Sequence, residues 1–373
     1  MSIDVLQRWA GFGVVILALG VLVVPGQAQT LRQEADCRGV LIGSAVRPAQ
    51  FSEIAYGTTL AREFNLIQPE DVMKWSVIRP DRASFDFTAG DAVVAFAAAH
   101  QMKVRGHTLV WGRHNPLWLE NAHYTPAELS DLLHEHITRV VQHFRGKVFA
   151  WDVLNEAFDE NGKLRNSIWY DQPGIGLAGK GTAYIEQALR WAHAADPGAL
   201  LFYNDAEGEA LNPKSDALYA MVKDFKRRGV PIDGIGMQMH IFDLYPDVRS
   251  IGGNIARFTA LGVQIHITEM DVALPTDPDT GNLRSSEDLA KQADVYREIA
   301  AVCLAHHGCT AFQTWGFSDK YSWIRSFFGG NKGAALPLDE KYNAKPAYRA
   351  LKETFANGRC DRLTASKPGT RQP

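Results

Sequence analysis

Two glutamates lie at the ends of apolar segments that are typical of buried strands. Glu156 ends VFAWDVLNE (148–156) and Glu269 lies in QIHITEMD (264–271), both rich in β-branched and aromatic residues. A carboxylate in such a place is hydrogen-bonded, paired or used in chemistry, because burying a bare charge is costly. Either glutamate alone is equally well explained as a surface-loop residue or the neighbour of a helix N-cap. Two in one chain favour a carboxylate pair.

A pair of carboxylates can cleave an acetal. The reaction needs a proton on the leaving oxygen and negative charge at the anomeric carbon, and carboxylates about 5 to 5.5 Å apart supply both with retention of configuration. One carboxyl group must be protonated while the other is ionised at the same pH. We expect apolar surroundings and the neighbouring carboxylate to keep Glu156 protonated, and hydrogen bonds to keep Glu269 charged.

Four polar residues near the glutamates are candidates for catalytic support. Residues two apart on a strand face the same way, so Asp271 and Glu269 would repel each other unless a donor lies between them. His240 is a candidate for that donor, although a strand histidine is more often a satisfied core residue. The Asn155 amide can donate to a sugar 2-hydroxyl or cap a loop, and Gln238 would add a donor near Glu269.

The elements that must position these residues follow a regular alternation. Short apolar segments near 40–45, 64–67, 103–111, 148–155, 200–204, 234–240, 264–270 and 310–315 alternate with amphipathic ones such as 126–144, 182–195, 215–228 and 286–306. This pattern predicts parallel strands joined by crossover helices. Eight such units predict a single (β/α)8 TIM barrel, with the active site at the C-terminal ends of the strands. Glu156 and Glu269 are predicted there, after strands four and seven.

The composition fits one large globular domain. The chain has 373 residues, of which 46% are hydrophobic and 22% charged, enough to bury a sizeable core. A formal net charge of -3 gives no basic excess for pairing with phosphates. We therefore expect no nucleic-acid partner.

The histidine-containing segments do not indicate a metal site. His134 and His136 lack the i, i+4 spacing of a zinc-protease helix, and His306 and His307 lie in a predicted loop. Neither a GxSxG motif nor a P-loop is present. We expect no metal and no organic cofactor.

The N-terminus is typical of an export signal. Arg8 precedes an apolar run (9–24), and small residues follow it, so that residues 1–28 are predicted to be a signal peptide cleaved after Ala28. An uncleaved anchor is the alternative. The catalytic barrel is predicted over 29–360 and a disordered tail over 361–373. We expect a secreted or periplasmic monomer without stable membrane association after cleavage.

Four cysteines in an exported chain can form disulfides. Cys303 and Cys309 flank the segment LAHHG, and Cys37 and Cys360 bracket the folded region. Because the first and last elements of a closed barrel are neighbours, a Cys37–Cys360 bond would tie the ends together. Either pair can instead remain reduced.

Six blocks of sequence carry a family resemblance. They are QPEDVMKW (68–75), VRGHTLVW (104–111), WDVLNE (151–156), GIGMQMH (234–240), ITEMD (267–271) and WGFSDKYSW (315–323). In this order and spacing, from about residue 40 to 350, the chain resembles glycoside hydrolase family 10. Members of that family are endo-β-1,4-xylanases with (β/α)8 catalytic domains. The interval between Cys303 and Cys309 also resembles a disulfide of fungal members.

The resemblance implies a retaining endo-β-1,4-xylanase that hydrolyses xylan or xylo-oligosaccharides. It implies that Glu156 is the acid/base and Glu269 the nucleophile, with His240 beside the nucleophile. The residues that it implies in substrate binding are Glu70, Lys74, His107, Trp111, Trp315 and Trp323, the last three as walls around the cleaved sugar. A Trp323 lid against C5 would favour xylan over glucan, because xylose has no hydroxymethyl group.

The chain departs from the family pattern at four places. Asp71 replaces an asparagine, Gly112 a histidine, and Met239 a small residue, while Ala206 stands where a tyrosine is common. An ionised Asp71 can only accept hydrogen bonds. We expect catalysis to survive these changes and the affinities of the sugar subsites to differ.

Two other functions remain open from the sequence. One is another retaining β-glycanase with cellulose or mixed specificity, and the other is a non-catalytic glycan-binding protein. The presence of both glutamates argues against the second. Product formation from xylan decides between an enzyme and a binding protein, and a side-by-side assay on carboxymethyl cellulose separates the two kinds of glycanase.

Overall fold

The computed structural model describes residues 29–357. The predicted signal peptide (1–28), the predicted tail (361–373) and Cys360 lie outside the described residues. Within residues 29–357, the longest helices are too short or too polar to cross a membrane.

Eight parallel strands form a closed barrel, as predicted. They are β1 (Leu41–Val46), β2 (Leu66–Pro69), β3 (Lys103–Trp111), β4 (Ala150–Asn155), β5 (Leu200–Asp205), β6 (Gly234–Met237), β7 (Gln264–Val272) and β8 (Cys309–Thr314). Each strand pairs in parallel with the next, and β8 pairs with both β7 and β1. The (β/α)8 prediction is therefore confirmed.

Most strand boundaries differ from the predicted ones by one to three residues, and two of the differences affect the site. Strand β7 continues to Val272, so Glu269 lies within the strand and not after it. Strand β6 ends at Met237, and the chain resumes pairing only at the two-residue strand His240–Ile241, which lies beside the end of β7. A second small sheet joins Leu274–Pro275 to Lys332–Gly333.

Helices surround the barrel. They are α1 (Leu31–Arg38), α2 (Ile54–Glu63), α3 (Trp75–Ile78), α4 (Thr88–Ala99), α5 (Leu117–Glu120), α6 (Pro126–His143), α7 (Ala183–Ala195), α8 (Pro213–Arg227), α9 (Val248–Thr259), α10 (Asp288–Ala305), α11 (Ile324–Phe327) and α12 (Pro346–Ala356). Single 3-10 turns occur at Pro48–Gln50 and Asp319–Tyr321.

Helix α6 shows why these segments are helical. Thr125 caps its N-terminus in a capping box with Glu128, and a proline occupies the first turn, where no backbone donor is needed. Leu129, Leu133 and Ile137 recur every four residues and are buried. This apolar stripe packs the helix on the barrel, as amphipathic helices require.

A network of buried charged and polar side chains joins three strands of the barrel. Arg105 on β3 forms an ion pair with Asp152 on β4, and it also contacts Nδ1 of His266 on β7 at 2.7 Å. Burial would raise the pKa of Asp152, but Arg105 and His107 together outweigh burial and hold that pKa below its usual value. Burial and Arg105 together hold the pKa of His266 well below normal, so the ring is neutral. Three strands that carry site residues are thus linked.

The predicted Cys303–Cys309 disulfide is present. It joins the last turn of α10 to the first residue of β8, with the two Cα atoms 5.2 Å apart. The Cys37–Cys360 pairing stays a prediction, because Cys360 lies outside the described residues.

Candidate active site

Glu156 occupies a backbone conformation that side chains rarely adopt. It follows β4 directly, its φ is 56°, and its N–H donates to the carbonyl of Asn204 at 3.0 Å. A residue other than glycine in the left-handed region costs free energy unless the surroundings hold it there. Such residues are concentrated at functional sites, and Glu156 is one of six non-glycine residues within residues 29–357 that have a positive φ.

The Glu156 carboxylate lies at the edge of the cleft. Its Oε1 accepts hydrogen bonds from Gln238 Nε2 at 3.2 Å and from Asn155 Nδ2 at 3.3 Å. The guanidinium of Arg113 lies 3.7 Å from Oε2. The side chain is 17% exposed, so this carboxyl group can still exchange protons with a ligand.

Glu269 is the more deeply buried of the two carboxylates. Asn204 Nδ2 donates to its Oε1 at 2.7 Å, and His240 Nε2 lies 3.3 Å from its Oε2. Burial would raise the pKa of Glu269, but the hydrogen bond from His240 and the electrostatic influence of His107 and His240 hold that pKa below its ordinary value. Glu269 is therefore ionised at neutral pH.

His240 lies between two carboxylates, as the spacing on β7 required. Its Nδ1 is 3.0 Å from Asp271 Oδ1, and Trp323 Nε1 donates to the other oxygen of Asp271 at 2.8 Å. Burial disfavours the charged ring, yet Asp271 and Glu269 outweigh it and raise the pKa of His240 well above its usual value. A charged His240 separates the two acidic groups and orients Glu269.

A chain of amides connects the two glutamates. Asn155 Oδ1 accepts hydrogen bonds from Asn204 Nδ2 at 2.9 Å and from Gln238 Nε2 at 3.2 Å. Because Asn204 also donates to Glu269 and Gln238 also donates to Glu156, one connected network holds both carboxylates. Four consecutive strands, β4 to β7, or the residues directly after them supply its members.

Asn204 is a site residue that the sequence analysis missed. It lies one residue before the end of β5, and Thr268 Oγ1 donates to its Oδ1 at 2.7 Å, which fixes the orientation of the amide. The signal available in the sequence was its position: a polar pair, Asn204-Asp205, ends an apolar segment, as Asn155-Glu156 does.

The remaining predicted residues meet in one cleft. It is lined by Glu70, Lys74, His107, Trp111, Asn155, Glu156, Gln238, His240, Glu269, Trp315 and Trp323, together with Arg47, Asp71, Arg113 and Phe327. Among the residues predicted to take part in catalysis or substrate binding, Asp271 does not line the cleft. It contacts His240, which does.

Ion pairs organise one wall of the cleft. Arg47, which directly follows β1 and was not predicted, forms a two-point ion pair with Glu70, with Nε to Oε2 at 2.7 Å. Lys74 Nζ contacts Asp71 at 2.9 Å and lies 5.1 Å from the ring centre of Trp111. Burial would raise the pKa of Asp71, but Lys74 keeps it below normal, so Asp71 is an acceptor.

The departures from the family pattern lie around the network. Met239 has a φ of 64° and its N–H donates to Glu209 at 2.9 Å. Ala206 follows β5, and its N–H donates to Asp205 at 2.9 Å. Gly112 borders a second pocket beside Glu156. None of these three lines the cleft that contains both glutamates, as far as residues 29–357 are concerned.

Comparisons with known proteins agree on one family. Residues 30–354 match the family model described as glycosyl hydrolase family 10. The chain is 45% identical to endo-1,4-beta-xylanase B of Thermotoga neapolitana, covering 80% of this chain and 82% of that protein. It is 38% identical to a beta-1,4-xylanase of Dictyoglomus thermophilum, covering 82% and 86%. The structure matches xylanase 10B of Thermotoga petrophila in complex with xylobiose, with a TM-score of 0.82 and 43% identity over 88% of this chain and 98% of that one.

Proposed function

Because the chain belongs to glycosyl hydrolase family 10, we propose that it is a retaining endo-β-1,4-xylanase in which Glu156 is the acid/base and Glu269 the nucleophile. The two roles are assigned from one observation, which is that the surroundings of the two carboxylates differ. Glu269 is buried, contacts His240 and Asn204, and has a lowered pKa. Glu156 is partly exposed at the cleft edge, where a proton can reach a leaving group.

In the first step, Glu269 attacks the anomeric carbon while the bond to the leaving oxygen breaks. Glu156 transfers its proton to that oxygen, and a covalent glycosyl ester forms on Glu269. The lowered pKa of Glu269 ensures that it is ionised, which a nucleophile requires.

In the second step, water attacks the same carbon and the ester bond to Glu269 breaks. Glu156, now ionised, takes the proton from the water. Two displacements on one carbon give net retention. The charged His240 compensates Glu269 when it is released as an anion, and Asp271 holds the His240 ring in place.

The cleft supports a xylan or xylo-oligosaccharide substrate. Trp111, Trp315 and Trp323 offer flat apolar surfaces for sugar rings, and Lys74, Glu70 and His107 offer polar contacts. Trp323 is fixed by its hydrogen bond to Asp271. We propose that this fixed indole lies against C5 of the cleaved sugar, so that a glucose hydroxymethyl group would collide with it. The xylobiose bound by the Thermotoga petrophila relative supports this substrate class.

We also propose that the protein is exported and acts as a monomer without a cofactor. The sequence pattern of residues 1–28 supports a cleaved signal peptide, which leaves the barrel from residue 29 and a short tail from 361. The family chemistry needs only two carboxylates and water.

The test is a side-by-side assay on xylan and carboxymethyl cellulose, with products sized and the configuration of the first product followed by proton NMR. We expect xylan to give short oligosaccharides of several lengths whose new ends are initially β. Release from carboxymethyl cellulose alone would identify a β-glucanase. Binding to xylan without any product would identify a glycan-binding protein.

A further inference from the structure

A second pocket lies directly beside the acid/base. Gly112, Arg113, Glu156, Arg165, Asn166 and Ser167 contribute to its lining. A Cβ atom placed on Gly112 would be 3.2 Å from Cβ of Ser167, tighter than ordinary contact. Any side chain at position 112 would therefore crowd this space, and the glycine that replaces the family's histidine keeps the pocket open.

Two guanidinium groups give the pocket a positive surplus. Arg113 is 62% exposed and lies 3.7 Å from Glu156, longer than a direct hydrogen bond. Arg165 donates through Nε to the Phe158 carbonyl at 2.9 Å, and within residues 29–357 no carboxylate forms an ion pair with it. The pocket thus has two cations facing one carboxylate, and that carboxylate is the group that must carry a proton in the reaction.

Neutral hydrogen-bonding groups complete the pocket. Ser167 Oγ accepts from the Tyr170 N–H at 3.2 Å, and among residues 29–357 its hydroxyl donates to no acceptor. Asn166 is exposed beside it. An anion placed here would meet donors on both sides. A guanidinium binds a carboxylate through two parallel hydrogen bonds, a geometry that a neutral hydroxyl or acetyl group cannot use.

We propose that this pocket binds the carboxylate of a uronic acid branch carried by a xylose next to the bond that Glu156 protonates. The proposal rests on the xylanase function proposed above and assigns to this chain a preference for acidic xylan. Arg113 would bind the branch from the side of the main cleft, which it also lines, and Arg165 from the far side. Binding of the branch would also draw the Arg113 guanidinium away from the Glu156 carboxylate.

The test compares kcat/KM on two xylo-oligosaccharides of equal length, one bearing a single uronic acid branch and one unbranched. Because Arg113 is largely exposed, solvent screens its charge, and we expect Arg113→Gln to lower the branched-to-unbranched ratio by about fivefold. We expect Arg165→Gln to lower it by at least as much. Reducing the branch carboxyl to an alcohol should lower the wild-type ratio in the same way. With this reduced substrate, the branched-to-unbranched ratio should be the same in the wild type and in both variants, whatever their absolute rates.

Arg145→Gln is the matched control. Arg145 is also 62% exposed and lies 3.9 Å from a carboxylate, that of Asp196, but it does not line the pocket. An unchanged ratio in both Arg113→Gln and Arg165→Gln, or an equal loss on both substrates, would overturn the branch pocket. Failure of the wild-type enzyme to cleave the unbranched substrate would instead overturn the proposed function.

Discussion

The two glutamates are held in place by different side chains. Glu269 is fixed by Asn204 and by a charged His240, while Glu156 is bound by amides on one oxygen and has the other near Arg113. The sequence predicted both glutamates, because each stands in or directly after an apolar segment with the residue pattern of a buried strand. It could not predict Arg113, since nothing in a loop sequence shows which side chain turns back toward the strand ends.

The first prediction separates the two carboxylate roles. Glu156→Ala should lower kcat/KM on xylan by about 10²- to 10⁴-fold, yet keep a fast first step on aryl xylosides whose leaving group needs little protonation. Glu269→Ala should abolish turnover on every substrate, because no covalent intermediate can form. Rates on a series of aryl xylosides of different leaving-group pKa measure this.

Glu160→Ala controls for loss of a nearby carboxylate, because Glu160 is exposed and contacts Asn161 outside the cleft. Equal damage by Glu156→Ala across all leaving groups would remove its assignment as the acid.

The second prediction concerns pH. Glu269 must be ionised to attack, and its pKa lies below the ordinary value with His240 as the first group that opposes burial. His240→Gln removes a positive charge, so the pKa of Glu269 should rise and the low-pH limb of kcat/KM should move to higher pH. The pH profile on an activated aryl xyloside measures this, because such a substrate needs little help from Glu156. A low-pH limb that stays in place would show that His240 does not control the ionisation of Glu269.

The register between neighbouring strands determines which side chains meet in the site. Asn155 on β4 pairs directly with Asn204 on β5, and this places their amides in contact. The apolar segments predicted the existence of all eight strands, but an apolar pattern does not specify which residues of neighbouring strands are opposite one another. The amide network could therefore not be predicted, although its members at the strand ends could.

A buried ion pair between β5 and α8 supports the turn after Glu156. Lys214 Nζ contacts Asp205 at 2.7 Å, and both side chains are almost fully buried. Tyr203 Oη donates to Asp205 at 2.5 Å and accepts from the N–H of Ala157, the residue after Glu156, at 2.8 Å. The pair thus connects a helix to the backbone that carries the acid/base.

The third prediction is that Lys214→Met destabilises the protein by about 3 to 5 kcal/mol at pH 8, because the buried Asp205 carboxyl loses its cation and must either stay charged and unpaired or take up a proton on folding, both of which cost free energy. Burial, the largest influence, raises the pKa of Asp205 to about 7 even with Lys214 present. A raised folded-state pKa means that stability falls as pH rises toward that value, and removing the cation raises it further. The loss should therefore be smaller at pH 5 than at pH 8.

Urea unfolding at both pH values measures the effect. Adding Asp205→Asn to Lys214→Met should recover part of the stability at pH 8, because no buried charge remains. An equal loss at pH 5 and pH 8 would mean that packing of the lysine stem, and not the charge, is what matters.

The first and last helices of the barrel, α1 and α12, meet at a residue of α2. Glu63 at the end of α2 accepts from the N–H of Leu31 in α1 at 3.0 Å and from Tyr348 Oη in α12 at 2.7 Å. The sequence predicted this closure from the count of eight repeating units, since a barrel brings its first and last elements together. It could not predict that a single buried carboxylate would join three helices there.

The fourth prediction uses this closure to distinguish the two disulfides. Cys303 and Cys309 close a short loop, so replacing both by Ala should lower the free energy of unfolding by about 2 kcal/mol. A Cys37–Cys360 bond would close a ring of nearly the entire domain, and removing it should cost more than about 4 kcal/mol, because it constrains far more of the unfolded chain. Urea unfolding of the two double variants, with peptide mapping of the wild-type cross-links, measures both. If removing Cys37 and Cys360 costs no more than removing the local pair, the ends are held by the Glu63 contacts and helix packing, and the predicted bond contributes little.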